Sequence, residues 1–295
     1  MPSKLSQQRG AFVALAVTIL IWAYSWVVMK QALAYAGPLD FAALRYLLGA
    51  AILFAALLAT RQSLRPPPLL PTILIGLFQT AAFQGLEQWA LLSGGAGRVA
   101  LLAYTMPFWA VLLAWWLLKD RPSPRQWGGL ALAAGGLLCI IEPWRGTGSA
   151  LSTTLGVAGG LAWACGTVLS KRLFQRHAPG LLNLTAWQML IGGLALGVAA
   201  LAVPQRQLVW SLPFIAALAY SAVLASSVAW WLWSIVLQRL STTVASVSSL
   251  GVPIVSVLLA WLILHEQPSA MELFGIALVL LALLAVSGVG SRRLR

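Results

Sequence analysis

The sequence is poor in charge. Only 8% of its 295 residues are Asp, Glu, Lys or Arg, about a third of what soluble domains carry. Acids are scarcest, 6 against 19 Lys and Arg. So little charge excludes a water-soluble globule and a disordered chain. The net charge of +13 does not indicate nucleic-acid binding. A phosphate-gripping protein gathers its cations on one patch, whereas here they fall in small groups between apolar runs. The two cysteines, Cys139 and Cys165, each lie inside an apolar run, which excludes a disulfide framework. The two histidines, His177 and His265, stand at helix ends, and there is no H-E-x-x-H or G-x-S-x-G motif and no lysine-bearing phosphate loop. No enzyme activity, metal or cofactor is expected.

Apolar side chains are abundant, at 60% of the chain, with a mean hydropathy of +0.88 and 15 tryptophans. A bilayer core of about 30 Å is crossed by about 20 apolar residues. Stretches of that kind, divided at charges, prolines and glycines, fall at 10–33, 39–60, 69–93, 97–118, 124–143, 152–174, 181–203, 211–237, 242–264 and 270–290. The run Gly10–Met29 is too long for a cleaved signal segment and reads as a retained helix. With the N-terminus inside, the inner segments hold Lys4, Arg9, Arg61, Arg65, Lys119, Arg121, Arg125, Lys171, Arg172, Arg176, Arg239, Arg292, Arg293 and Arg295. The outer ones hold only Lys30, Arg98, Arg145 and Arg206. This bias places both termini in the cytoplasm.

The halves resemble each other. Pro107, Val111–Trp115, Leu118, Pro122–Ser123, Gly129 and Ala131–Leu132 recur 146 positions later as Pro253, Val257–Trp261, Leu264, Pro268–Ser269, Gly275 and Ala277–Leu278, with Asp120 matched by Glu266. Earlier, an offset of 141 pairs Trp22-Ala23 with Trp163-Ala164, Lys30 with Lys171 and Pro38 with Pro179. The unit is five helices, 1–145 and 146–295. An odd number of crossings inserts the second copy upside down, an arrangement recurrent in transporters whose substrate site lies where the repeats meet. The expected fold is an all-α integral membrane protein of ten transmembrane helices in two inverted five-helix repeats. A channel or a membrane scaffold is the alternative.

The Trp22-Ala23-x-Ser25 stretch and the twin Pro…acid-x-Pro-Ser…Gly blocks resemble the EamA family of the drug/metabolite transporter superfamily. Gln88-Trp89-Ala90 and Tyr104–Trp109 resemble most the YddG-type amino-acid exporters within it. The resemblance covers essentially the whole chain. It implies export of amino acids and related metabolites from the bacterial cytoplasm, and a central cavity formed by helices 1–4 and 6–9 with helices 5 and 10 peripheral. Small four-helix exporters of the superfamily use a carboxylate in helix 1, which this chain lacks.

Trp22 and Trp163 each lie about 16–18 Å along their helices, near the midplane. That depth is outside the belt where tryptophan prefers to sit, which points to cavity lining. Ser25 and Thr167, one turn on, offer hydroxyls or bond their own backbone. Gln84, Glu87, Gln88 and Leu91 share one face of helix 3, which faces a wet cavity or forms an interhelical polar seam. Glu87 falls in the same outer third as Lys30 and Arg45. An ion-pair strut or outer gate is the preferred role for Glu87 over a proton carrier, and Arg45 is a candidate to attract a departing carboxylate. Pro107 and Pro253 mark helix breaks near mid-depth. Tyr104, Ser248 and Ser249 lie beside them, and Gln188 and Tyr220 add polar groups on helices 7 and 8. Trp230, Trp231 and Trp233 read as an inner interfacial belt. Gly156, Gly160, Gly193 and Gly197 read as close packing faces. Asp120 and Glu266 read as helix caps.

The expected function is export of aromatic and other neutral amino acids by alternating access, uncoupled because no buried acid–base pair stands out as a coupling site. A proton-coupled exporter of other metabolites or drugs is the alternative. The cargo is a small-molecule amino acid, the surroundings are a lipid bilayer, and a monomer suffices.

Overall fold

A computed structural model of the chain describes residues 4–119, 121–141, 150–241, 244–245, 248–265 and 267–287. Asp120, Glu266 and Arg145, and the C-terminal arginines Arg292, Arg293 and Arg295, lie outside them. Apart from helical residues at 244–245 and 248, the described residues form ten helical segments and no strand. They are α1 (Lys4–Ala32), α2 (Pro38–Ala59), α3 (Leu69–Ser93), α4 (Ala96–Leu118) and α5 (Pro124–Ile141). They continue as α6 (Ala150–Arg176), α7 (Leu181–Ala202), α8 (Leu212–Arg239), α9 (Gly251–Leu264) and α10 (Ala270–Ser287). Seven of them, α1–α4 and α6–α8, are long and apolar enough to cross a membrane unaided. The outer surface is apolar: Leu201, Leu212 and Trp116 are 92%, 80% and 71% exposed. Such a face is stable only against lipid.

The hydroxyls of Thr18, Thr72, Thr185 and Ser256 bond the carbonyls four residues back. Extended glycines, Gly37, Gly95 and Gly180, lead into α2, α4 and α7.

Four departures from regular helix recur in the two halves at nearly the same offset. A π stretch widens α3 at Gly76–Ala82 and α8 at Ser221–Val228. Extended residues end α3 at Gly94 and α8 at Leu240. Turns interrupt the chain at Tyr104–Thr105 and at Ser249–Leu250. Left-handed residues stop α4 at Lys119 and α9 at His265, both with φ 58°. Pro107 and Pro253 therefore sit in the first turn of a new helix and not at a mid-helix kink. There the missing N–H costs nothing, because first-turn donors have no intrahelical acceptor.

The helices sort into two groups. α1 packs on α8 and α9, and α6 packs on α3 and α4. α2 lies along α7, while α5 and α10 pack chiefly on each other, where Gly136 meets the Gly275 carbonyl. Among the glycine pairs, Gly156 faces Leu102, Gly160 faces the backbone of the α4 interruption, and Gly193 faces Leu47; Gly197 has open space.

The π stretch of α3 fits only because α7 has glycine opposite it. A Cβ on Gly192 would lie 2.7 Å from the Gly76 carbonyl oxygen and against the Thr80 side chain. Gly192→Ala is expected to cost about 1–3 kcal/mol by overpacking and to lower the melting temperature in detergent. Gly197→Ala, with nothing within 4 Å of its Cβ, should hold or raise it, because alanine is the better helix former. Equal melting temperatures for the two variants would contradict this packing account.

Candidate functional site

The centre of the molecule is an aromatic cluster between the two helix groups. Trp22 of α1 and Trp163 of α6 meet edge to face at 5.6 Å and 84°. Phe83 of α3 stacks on Trp163 at 4.8 Å, and Tyr104 abuts it edge-on at 5.1 Å. Trp230 and Trp233 of α8 complete the cluster, at 5.0 Å and 5.6 Å from Trp22. Edge-on and offset contacts match the ring quadrupoles, so the cluster gains more than area burial alone.

The π stretch of α8 builds part of this. A π turn takes its carbonyls out of the regular ladder, and the Trp22 indole N–H donates to the Ala225 carbonyl at 3.0 Å. Trp230 donates to the Tyr46 hydroxyl at 3.0 Å. Trp163 Nε1 and Trp233 Nε1 are buried with no acceptor.

A small cavity opens beside the cluster. On α1 it is lined by Trp22, Ser25, Trp26 and Met29, which follow the i, i+3, i+4, i+7 stripe of a helix face. Arg45, Phe83, Gln84, Tyr104, Trp163 and Trp230 close the other sides. Its free volume is about 20 Å³, room for about one water. No amino acid fits until the rings part, so this conformation is closed around its centre.

Several sequence expectations meet here. Trp22, Ser25, Gln84, Tyr104 and Trp163 line the cavity together. Ser25 spends its proton on the Trp22 carbonyl at 2.8 Å. Gln84 Oε1 is buried without a donor. Others lie elsewhere. Gln88 is fully buried, both its amide atoms unpartnered, away from the cavity lining. Gln188 is buried on α7, where its backbone faces Gly76 of α3. Tyr220 points away, donating to the Ile21 carbonyl at 2.8 Å and meeting Tyr24 edge-on. Ser248 adjoins the turn before α9, Ser249 belongs to it, and neither lines the cavity.

The outer charge cluster does not form. Lys30 Nζ donates to the carbonyls of Leu91 and Gly94, at 2.6 and 2.9 Å. Arg45 Nε donates to Ser226 Oγ at 3.1 Å, and its Nη1 lies 2.8 Å from Met29 Sδ. Neither pairs with Glu87, whose two oxygens are buried without a partner against Gly159. The ion-pair strut is therefore corrected: the last turn of α3 offers Lys30 free carbonyls and a negative dipole end, which satisfy the ammonium locally. The interfacial belt is corrected too. Only Trp231 faces outward, at 38% exposure, while Trp230 and Trp233 are core. The π stretch before them adds residues per turn, and this re-aims the faces that follow.

Phe83, Trp26 and Met29 also line the cavity, and the sequence reading missed them. The i, i+3, i+4, i+7 spacing from Trp22 was the available signal for the α1 pair. Phe83 directly precedes Gln84, and its place depends on the π stretch.

Comparison with known proteins gives this arrangement a context. A model of the EamA-like transporter family matches residues 8–142 and again residues 151–288. The chain is 30% identical to a Salmonella typhimurium protein called a probable amino-acid metabolite efflux pump, over 94% of each chain. It is 29% identical to an Escherichia coli protein of the same name and 28% identical to the uncharacterized transporter YoaV of Bacillus subtilis, over at least 93% of each chain. A solved crystal structure shares the fold, with a TM-score of 0.77 at 21% identity over 97% of this chain and 98% of that one. With the family pattern present in both halves, the chain belongs to the EamA-like transporter family.

Proposed function

We propose that this protein is a secondary transporter exporting aromatic and other neutral amino acids across the cytoplasmic membrane. It is a multi-pass inner-membrane monomer with both termini in the cytoplasm. Residues 1–145 and 146–295 are inverted five-helix repeats, and the two helix groups rock about the aromatic centre. The observation that carries the reading is the meeting of Trp22 and Trp163, one from each half, edge to face over the cavity. Rings that pack on each other when the site is closed can pack on a substrate ring when it is open. The name of the Salmonella relative supports the same cargo class.

Transport is downhill and uncoupled in this reading. Glu87 supports a second one. A carboxylate with no counter-charge in a membrane interior is costly, and a proton is the simplest ligand that neutralises it. Proteoliposomes loaded with labelled Phe, Trp, Met or Thr separate the two. Flux indifferent to an imposed pH gradient is the expected result. Flux that requires the gradient assigns coupling to Glu87, and Glu87→Gln should then abolish the requirement. No flux of any amino acid overturns the cargo assignment.

A further inference from the structure

We infer that Arg45 is the residue that recognises the substrate's carboxylate, which makes the central site a receptor for organic acids with an apolar tail. The inference rests on the amino-acid reading above and assigns the ends of the cargo to residues.

Arg45 is 2% exposed and lines the cavity beside Trp22. Arginine cannot shed its charge in a protein. Its neighbours do not offset that charge. Ser226 Oγ accepts from Nε, Met29 Sδ lies against Nη1, and the Tyr46 ring lies 5.0 Å from the guanidinium carbon. A hydroxyl, a thioether and a ring are neutral. Among the described residues no carboxylate hydrogen-bonds or ion-pairs with Arg45. Asp40, on the same helix, and Glu87, on α3, make no bond to it. An intramembrane cation without a counter-ion, facing a cavity, marks the path or site of an anion. A guanidinium fork matches a carboxylate in two parallel hydrogen bonds.

The rest of the lining fits the remainder of such a molecule. Gln84 Oε1 is buried in the same lining without a donor, so it is an acceptor suited to an ammonium. Trp22, Trp163 and Trp230 offer ring faces and edges to a side chain. Cation, acceptor and aromatic wall make three points of contact, one for each group other than hydrogen on an α-amino acid's central carbon. The bland role for Arg45 is a strut holding α2 to α8 through Ser226. A strut would be indifferent to which charged group the ligand carries.

Calorimetric titration of the purified full chain with four probes tests this: L-phenylalanine, 3-phenylpropionate, phenethylamine and L-phenylalaninamide. Phenylalanine and 3-phenylpropionate should bind, and the two probes without a carboxylate should bind at least tenfold more weakly. Arg45→Gln should weaken phenylalanine at least tenfold while leaving phenethylamine within about twofold. Arg45→Lys, which keeps the charge and loses the fork, should fall between, and it serves alone if the Gln variant fails to fold. Equal binding of phenylalanine and phenethylamine overturns the inference. So does a uniform loss for all four probes in the Arg45 variants, the signature of a strut. If 3-phenylpropionate binds through Arg45 and phenylalanine does not, the carboxylate site stands and the amino-acid reading falls. Binding of none of the four overturns both.

Discussion

Trp163→Ala should slow amino-acid transport at least tenfold, and Trp116→Ala should leave it within about twofold. Trp163 is 1% exposed and touches Trp22, Phe83, Tyr104 and Trp230, so it lies at the meeting of both helix groups. Trp116 is 71% exposed on the outer face. A tenfold loss corresponds to about 1.4 kcal/mol, near the upper end of what one aromatic pair adds beyond its buried area. Truncation also removes packing. A buried Trp→Ala change costs about 3–5 kcal/mol of stability, so the melting temperature must be followed beside the flux. Trp163→Phe separates the effects: it keeps a ring against Phe83 and should recover much of the stability, with a narrower loss of transport. The Trp163 indole nitrogen has no acceptor, so replacing it forfeits no hydrogen bond. Unchanged flux in folded Trp163→Ala would remove the aromatic centre from the transport path.

The sequence made the helices legible because hydrocarbon leaves the backbone so few alternatives. The apolar runs at 97–118 and 181–203 become Ala96–Leu118 and Leu181–Ala202. Trp22 and Trp163 were legible for a second reason, because duplication marked them as equivalent positions at mid-depth. Trp230 and Trp233 were misread because they lie beyond irregular backbone. Periodicity assumes a constant turn, and the π stretch at Ser221–Val228 breaks that assumption just before Trp230 and Trp233. Ion pairing was misread because proximity in depth says nothing about competition. Lys30 could reach Glu87 only by giving up two carbonyls at the end of α3. Arg45 was recognised as a candidate for a carboxylate, yet its lack of an acidic partner is a property of three helices together and no spacing encodes it.

The same lysine leads to the second large effect. Lys30 ties the end of α1 to the last carbonyls of α3, and so joins the two helix groups at one end of the cavity. Lys171, its counterpart on α6, donates to the carbonyls of Leu237 and Leu240 at the end of α8, at 2.8 and 2.6 Å, and joins them again. With the inverted repeat and cytoplasmic termini proposed above, these ties lie on opposite membrane faces, Lys30 outside and Lys171 inside. Both are closed here, consistent with a cavity that has room for one water. Under the proposed alternating access, one breaks while the other is kept. A hydrogen bond from a charged donor contributes about 1.5–3 kcal/mol, and 1.4 kcal/mol shifts a two-state population tenfold. Lys30→Met keeps the aliphatic stem and loses the donors. It should favour the outward-open form, and Lys171→Met the inward-open form, each by tenfold or more. A single thiol at the cavity reports the shift, using Ser25→Cys with Cys139→Ala and Cys165→Ala in sided membrane vesicles. Lys30→Met should speed labelling by an impermeant maleimide from the outside, and Lys171→Met from the inside. The sign depends on which face is cytoplasmic; the opposition between the two variants does not. Faster labelling from the same side in both, or from neither, would show that the lysines are helix caps alone.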